Sequence, residues 1–149
     1  MKHEILVYNK TLQKTPKKFI VKTILKALNF LKLKRPAELA VLIVNKSEIK
    51  RLNKFWHGKN EPADELSFGL NSRQTARFVK DNNSVLELGE IVINVDKIFD
   101  RKHLSEMLIH SLLHLIGYNH ENSNKEAERM ERLEEKLLKY LSTSSRRIK

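Results

Sequence analysis

The sequence contains no cysteine in its 149 residues, which excludes disulfide bonds and thiolate metal ligands. It has only four glycines and three prolines, and no linker rich in them divides the chain, so we expect one domain over residues 1–141. Apolar runs such as Ala40–Val44 are too short to cross a bilayer, and the N-terminal MKHEILVYNK has no signal core. These absences predict a cytoplasmic protein without a membrane partner. Residues 142–149 are expected to form a mobile basic tail.

Acidic residues are scarce in the first part of the chain. Residues 1–59 carry 15 Lys or Arg against 3 Asp or Glu, a balance of +12, whereas the whole chain carries +11. Such asymmetry indicates a polyanionic partner, nucleic acid or an acidic membrane surface, although a solubilising surface would give the same count. Three lysines recur every four residues on one predicted helix face, where like charges cost about 0.2–0.5 kcal/mol per pair. The candidates for contacting phosphates are Lys18, Lys22, Lys26, Arg51 and Lys54.

Strand and helix patterns alternate along the chain. Strands are predicted at residues 4–8, 38–44, 65–70 and 86–95. Helices are predicted at residues 16–31, 47–56, 100–116 and 126–141. Thr15 and Ser47 are the expected N-caps of the first two helices, and the polar residues 71–84 predict a loop. The third helix is apolar nearly all round and should be deeply packed. The alternation predicts a layered α/β or α+β domain.

Three histidines near residue 115 have the spacing H-x3-H-x2-G-x2-H. His110 and His114 are four residues apart and share one face of a helix, so both imidazoles can approach one ion. Gly117 allows the positive φ that ends a helix and can return His120 to the same point. Three neutral nitrogens leave one tetrahedral position open, as in catalytic zinc sites. The pattern predicts one Zn²⁺ per chain, against the alternative that these histidines are core residues.

The same histidine spacing occurs in the metzincin proteases, H-E-x-x-H-x-x-G-x-x-H. There the Glu that follows the first His is the general base. In this chain that position is Ser111, whose hydroxyl cannot act as a comparable base. A metalloprotease is therefore a weaker hypothesis than an enzyme that acts on a phosphodiester, whose charge can be met by metal and by the abundant cations.

Three blocks of the sequence match a known family. They are LNKFWHGKNEPADELSF, LGEIVIN and IHSLLHLIGYNH followed by the acidic EAERMERLE, and the similarity covers most of residues 38–135. In these blocks the chain resembles the bacterial YbeY family of metal-dependent endoribonucleases, implicated in ribosomal RNA maturation. The resemblance implies that His110, His114 and His120 are zinc ligands. It also implies a small, mostly parallel mixed sheet flanked by helices, with the metal site on a buried helix and the turn after it.

The chain departs from the family pattern close to the expected site. His57 stands where the family usually has its catalytic Arg, so His57 and Lys59 are the expected catalytic, phosphate-facing pair. Asp64 and Ser67 are retained from the family's T-D-V-L-S-F and are expected to support the site, although Asp64 could equally be a turn residue. Phe55 and Trp56 precede His57 and could stack on bases, but burial in the core is the favoured interpretation.

These residues and the resemblance together predict a zinc-dependent endoribonuclease with a single catalytic domain. Its substrate would be single-stranded RNA, and its partners ribosomal RNA or ribosomal subunits. The imidazole of His57 lacks the fixed bidentate fork of a guanidinium. For that reason the alternative is a zinc-stabilised RNA-binding factor for ribosome assembly with little catalysis.

Overall fold

A computed structural model describes residues 2–69, 85–118 and 123–147 of the chain, with side chains through Thr143. Within these ranges the backbone forms four strands, four α-helices and one 3₁₀ turn. The strands are β1 (Glu4–Asn9), β2 (Ala37–Val44), β3 (Glu65–Gly69) and β4 (Leu86–Asn94). The helices are α1 (Lys17–Leu31), α2 (Lys46–His57), α3 (Arg101–Ile116) and α4 (Asn124–Arg147), and the 3₁₀ turn is Val95–Lys97.

The four strands form one mixed sheet in the order β1-β2-β4-β3. β2 pairs in parallel with both β1 and β4, whereas β3 runs antiparallel to β4. The apolar run of β2 is explained by its place between two neighbours, because an interior strand contacts packed layers on both of its faces. The predicted fold class, α/β with a small and mostly parallel mixed sheet flanked by helices, is confirmed.

The helices cover the two faces of the sheet unequally. Ile91 and Ile93 of β4 belong to the main core, together with buried residues of α1, α3 and α4. Val92 points the other way and packs with Ile49 of α2 in a smaller core. The main core surrounds α3, whose buried residues include Leu104, Leu108 and Leu112. A helix enclosed by a sheet and two other helices must be apolar nearly all round, which explains the pattern in its sequence.

Several predicted boundaries differ from those of the structure. α1 begins at Lys17 with Pro16 as its N-cap, so Thr15 is not the cap. α2 is capped by Asn45 rather than Ser47. α4 continues to Arg147, and helical backbone therefore covers residues 142–147 of the predicted tail, since the sequence offers no Gly or Pro to stop it. The predicted loop at 71–84 lies outside the described residues. None of the described helices combines the length and apolarity needed to span a membrane.

Candidate functional site

Two imidazoles meet on the last turns of α3. Asp100 is the N-cap of α3, and its carboxylate accepts the backbone N–H of His103. Gly117, which has a φ of 121°, is the C-cap. Four residues of helix place His110 and His114 on one face, and their Nε2 atoms lie 3.1 Å apart. The pairing predicted from the sequence spacing is therefore present in the structure.

Each of these imidazoles has an acceptor at its other nitrogen. Nδ1 of His110 lies 2.8 Å from Oε1 of Glu134 on α4, and Nδ1 of His114 lies 3.1 Å from the carbonyl oxygen of Tyr118. Because a carboxylate and a carbonyl can only accept, each Nδ1 carries a hydrogen. In neutral rings the lone pairs then lie on the two Nε2 atoms, which converge. Two lone pairs at that separation call for a cation or a proton between them.

Glu134 also changes the protonation of the site. Its hydrogen bond raises the pKa of His110, while partial burial of the imidazole acts in the opposite direction. The sequence analysis did not assign this residue a role. The signal was present, because Glu134 is the last residue of the acidic EAERMERLE block that follows the histidine motif. His110 and Glu134 are, however, 24 residues apart in the sequence, and only the packing of α4 against α3 brings them into contact.

The third predicted ligand, His120, lies outside the described residues. Over residues 2–69, 85–118 and 123–147, no three His, Asp or Glu side chains are grouped so that they could hold a metal ion. The described part of the site therefore offers two imidazole nitrogens on α3, and Gly117 ends the helix immediately after them.

The imidazoles open into a cleft of about 500 Å³ between α2, β3 and α3. Gly58 ends α2 in the left-handed conformation with a φ of 70°, which brings the chain round so that Lys59 follows His57 on the cleft wall. The buried side chain of Asn53 holds this loop by donating to the carbonyl of Glu61 at 2.9 Å. The described residues that line the cleft include His57, Lys59, Glu65, Ser67, His110, Ser111 and His114.

Glu65 is a cleft residue that the sequence analysis missed. It occupies the position of the Val in the family's T-D-V-L-S-F, and it alternates with Ser67 on the face of β3 that lines the cleft. Burial raises the pKa of its carboxyl group, whereas the nearby imidazoles of His110 and His103 act to lower it. The hydroxyl of Ser111 is also buried here and has no hydrogen-bond partner among the described residues.

Several residues predicted for the site are directed elsewhere. Arg51 is paired with Glu48, three residues earlier on α2, at 2.6 Å. The carboxylate of Asp64 lies 3.9 Å from Nζ of Lys97, and Lys54 is exposed on α2. The three lysines of α1 line a separate groove of about 790 Å³ between α1, α3 and α4. The cations of this lysine groove are Lys18, Lys22, Lys26, Arg101 and Lys102.

The favoured interpretation of Phe55 and Trp56 as core residues is wrong. The side chain of Phe55 is 71% exposed and that of Trp56 is 61% exposed. α2 is anchored on the sheet through Ile49, which is fully buried. Phe55 lies about 240° around the helix from Ile49, since each residue advances by about 100°, and so faces away from the sheet. Trp56 lies on the same side of α2 as Ile49 but in the last turn of the helix, and its ring centroid is 5.9 Å from that of Phe68.

The fold and the cleft define a class: a small α/β domain in which paired imidazoles on a buried helix face a solvent-accessible cleft. Comparison with known proteins makes this specific. The family described as Endoribonuclease YbeY matches residues 5–142, so the chain belongs to the YbeY family of endoribonucleases. This confirms the resemblance found in the sequence.

Individual relatives and a solved structure agree with this membership. The chain is 36% identical over 134 residues to the endoribonuclease YbeY of Thermodesulfovibrio yellowstonii, covering 83% of this chain and 80% of the relative. It is also 36% identical over 117 residues to that of Syntrophomonas wolfei, with 72% and 74% coverage. The solution structure of TM1509 from Thermotoga maritima shares the fold, with a TM-score of 0.60 and 24% identity over 95% of this chain and 91% of that one.

Proposed function

We propose that this protein is a zinc-dependent endoribonuclease that cleaves single-stranded RNA during ribosomal RNA maturation in the cytoplasm, with residues 1–141 as one catalytic domain. The observation that carries the proposal is the convergence of two imidazole Nε2 atoms in a cleft that Lys59 and His57 also line. Membership of a family of endoribonucleases supports RNA as the substrate. The absence of cysteine fits a reducing compartment.

The donor set on α3 fits a zinc ion. Two nitrogens bound to one tetrahedral zinc at 2.0–2.1 Å lie about 3.3 Å apart, close to the 3.1 Å between the two Nε2 atoms. Ligating histidines commonly donate their other N–H to a carboxylate or a carbonyl, as His110 does to Glu134 and His114 to Tyr118. We assign His110, His114 and His120 as the ligands. Bound zinc supplies a Lewis acid that withdraws negative charge from the scissile phosphate.

His57 and Lys59 are assigned to the phosphate. Both line the cleft on the wall opposite α3, and the His57 ring is stacked on Phe68 with centroids 6.0 Å apart. Lys59 provides a permanent positive charge, and His57 provides an N–H donor from an orientation that the contact with Phe68 restricts. Ser67 offers a further hydroxyl from β3. Together they hold the phosphodiester against the imidazole pair, so catalysis depends on positioning and on neutralisation of charge.

The lysine groove is assigned to more distant phosphates of the same RNA. Lys18, Lys22 and Lys26 face Arg101 and Lys102 across it, which gives an anionic chain several contacts without base specificity. Lys54 on α2 is exposed and adds a further cation that an RNA strand can contact. Arg51 is a weaker candidate than the sequence suggested, because its guanidinium is already engaged by Glu48.

Replacement of one ligand tests the proposal against the RNA-binding factor. His114→Ala should lose the single equivalent of zinc and lower the rate of RNA cleavage by more than about a hundredfold, because both the Lewis acid and its position are lost. Zinc is measured by elemental analysis, and cleavage on a single-stranded oligoribonucleotide with and without chelator. His103→Gln, on the same helix, is the matched control and should keep both zinc and activity. If wild-type protein binds RNA and zinc but never cleaves, the assembly factor is the correct function.

A further inference from the structure

Two large aromatic side chains are exposed together at the end of α2. The rings of Phe55 and Trp56 meet edge to face with centroids 5.0 Å apart, and the ring of Trp56 lies 5.9 Å from that of Phe68. We call Phe55, Trp56 and Phe68 the aromatic platform. Adjacent exposed aromatic rings leave a large apolar area in water, and such a patch on a soluble protein marks a surface that a ligand covers.

The aromatic platform is continuous with the cleft. The ring of Phe68 lies 5.9 Å from that of Trp56 and is stacked with that of His57 at 6.0 Å, and His57 lines the cleft. A ligand that reaches the imidazole pair past His57 therefore passes the rings. The chain from residue 54 to residue 60 reads KFWHGKN, which has three basic side chains and no acidic one, and all seven residues are exposed. Exposed Glu61 follows this segment, and with it included Lys54 and Lys59 still leave a net positive charge beside the rings, which is complementary to a polyanion.

We propose that the aromatic platform is a base-stacking subsite that binds unpaired nucleobases of an RNA strand whose phosphodiester lies in the cleft. This inference rests on the proposed function. Every base presents a π face, so stacking of this kind tolerates any sequence. Bases inside a duplex are already stacked on their neighbours and cannot reach the rings. The platform therefore selects single-stranded over double-stranded RNA, and the flanking Lys54 and Lys59 meet the phosphates on either side of the stacked bases.

Trp56 is the sole tryptophan of the chain, so tryptophan fluorescence reports directly on the aromatic platform. His114→Ala protein, impaired in cleavage, is titrated with a 12-nucleotide oligo(A), an abasic strand of equal length, and a blunt RNA duplex. We expect oligo(A) to quench the tryptophan fluorescence and to bind about tenfold more tightly than the abasic strand. The duplex should not quench. Unchanged fluorescence at saturation, with occupancy followed by anisotropy of a labelled strand, would overturn the subsite.

Matched substitutions separate stacking from general effects of losing an apolar side chain. Phe55→Ala should weaken oligo(A) binding severalfold, whereas Phe99→Ala, which removes an equally exposed phenyl ring at 67% that contacts His103, should leave it unchanged. Trp56→Leu should weaken binding about tenfold, and Trp56→Phe should restore most of it because a ring is retained. Equal effects of Phe55→Ala and Phe99→Ala, or of Trp56→Leu and Trp56→Phe, contradict the proposal.

Failure of this subsite and failure of the proposed function give different results. If wild-type protein cleaves oligo(A) with the same KM as Trp56→Leu, the endoribonuclease stands and the subsite does not. If oligo(A) quenches Trp56 but wild-type protein never cleaves it, the subsite stands and the proposed catalysis is wrong. If the rings bind no RNA and the platform is instead occupied by a protein partner, oligo(A) and the abasic strand bind alike, which also rejects the subsite.

Discussion

Helix α3 borders two regions of opposite character. Its C-terminal half contributes His110 and His114 to the cleft, where each imidazole has a defined hydrogen-bond acceptor. Its N-terminal half contributes Arg101, Lys102 and Glu106 to the lysine groove, where five cations and this one carboxylate are among the lining side chains. Burial and the neighbouring Lys22 both lower the pKa of Lys26 in that groove. Each imidazole of the cleft thus has a fixed hydrogen-bond partner, whereas the groove holds several positive charges close together.

This difference indicates two kinds of ligand. Convergent lone pairs with fixed tautomers suit one small cation, because the ion needs exact ligand positions. Flexible lysines at four-residue spacing suit a polyanion, because counterion release requires charge density and little geometry. One helix can present both, since Arg101 and Lys102 lie about 12 to 20 Å along its axis from His110 and His114. Substitutions in the two regions should therefore have different signatures.

Among substitutions outside the three assigned ligands, the largest effect is expected at Glu134. Glu134→Gln keeps the shape of the side chain but removes its negative charge. In the wild type this charge orients the His110 imidazole and raises its pKa. Zinc affinity should fall about 10- to 100-fold, as for other carboxylates that support a ligating histidine. The measurement is competition with a chromophoric chelator. Glu135→Gln, one residue further on the exposed side of α4, is the matched control. Equal zinc affinity for the two variants would show that the contact between Glu134 and His110 does not organise the cleft.

An intermediate effect is expected in the lysine groove. Replacing Lys18, Lys22 and Lys26 together by Gln should flatten the dependence of log Kd on log salt by about 2, since each phosphate of a single strand contributes about 0.7. Zinc content should not change. The control is the exposed triple Lys10, Lys32 and Lys34 to Gln, which alters net charge equally. Identical slopes for the two triple variants would make the groove an ordinary charged surface rather than a path for RNA.

The smallest effect is expected on the stability of the fold, which is lowered by burial of the charged Glu65 carboxylate in the cleft. The folded pKa of Glu65 is raised above 4.5 by burial, so the native state holds its proton more tightly than the unfolded chain. Stability therefore falls as pH rises from the unfolded pKa through the folded pKa, and the full cost is present above the folded pKa. Glu65→Gln should raise the melting temperature of metal-free protein slightly at pH 7, with no difference below pH about 4.

The control for this measurement is Glu87→Gln, which changes an exposed carboxylate on β4. Its melting temperature should follow that of the wild type across the same pH range. A lower melting temperature of Glu65→Gln at pH 7 would mean that the carboxylate makes stabilising contacts in the cleft, and that its burial is not a cost.

Local patterns in the sequence predicted most of the elements, but they did not predict which residues meet. The strand at 38–44 and the helix at 100–116 were found within one residue, because their apolar patterns report burial directly. Phe55 and Trp56 were misjudged because apolar character alone does not say whether a sheet lies beneath a helix turn. The lysine stripe was recognised as one helix face, but its opposing cations, Arg101 and Lys102, lie more than 70 residues further along the chain.

By itself the sequence determined that His110 and His114 share a helix face and that the chain turns at Gly117. Both follow from local backbone geometry, the 3.6-residue period and the positive φ that glycine allows. The tertiary structure alone decided that Glu134 supports His110, that Glu65 lines the cleft, and that Asp64 turns to Lys97 instead. These outcomes depend on how α4 and β3 pack against α3, and packing is the sum of many weak contacts between residues distant in sequence.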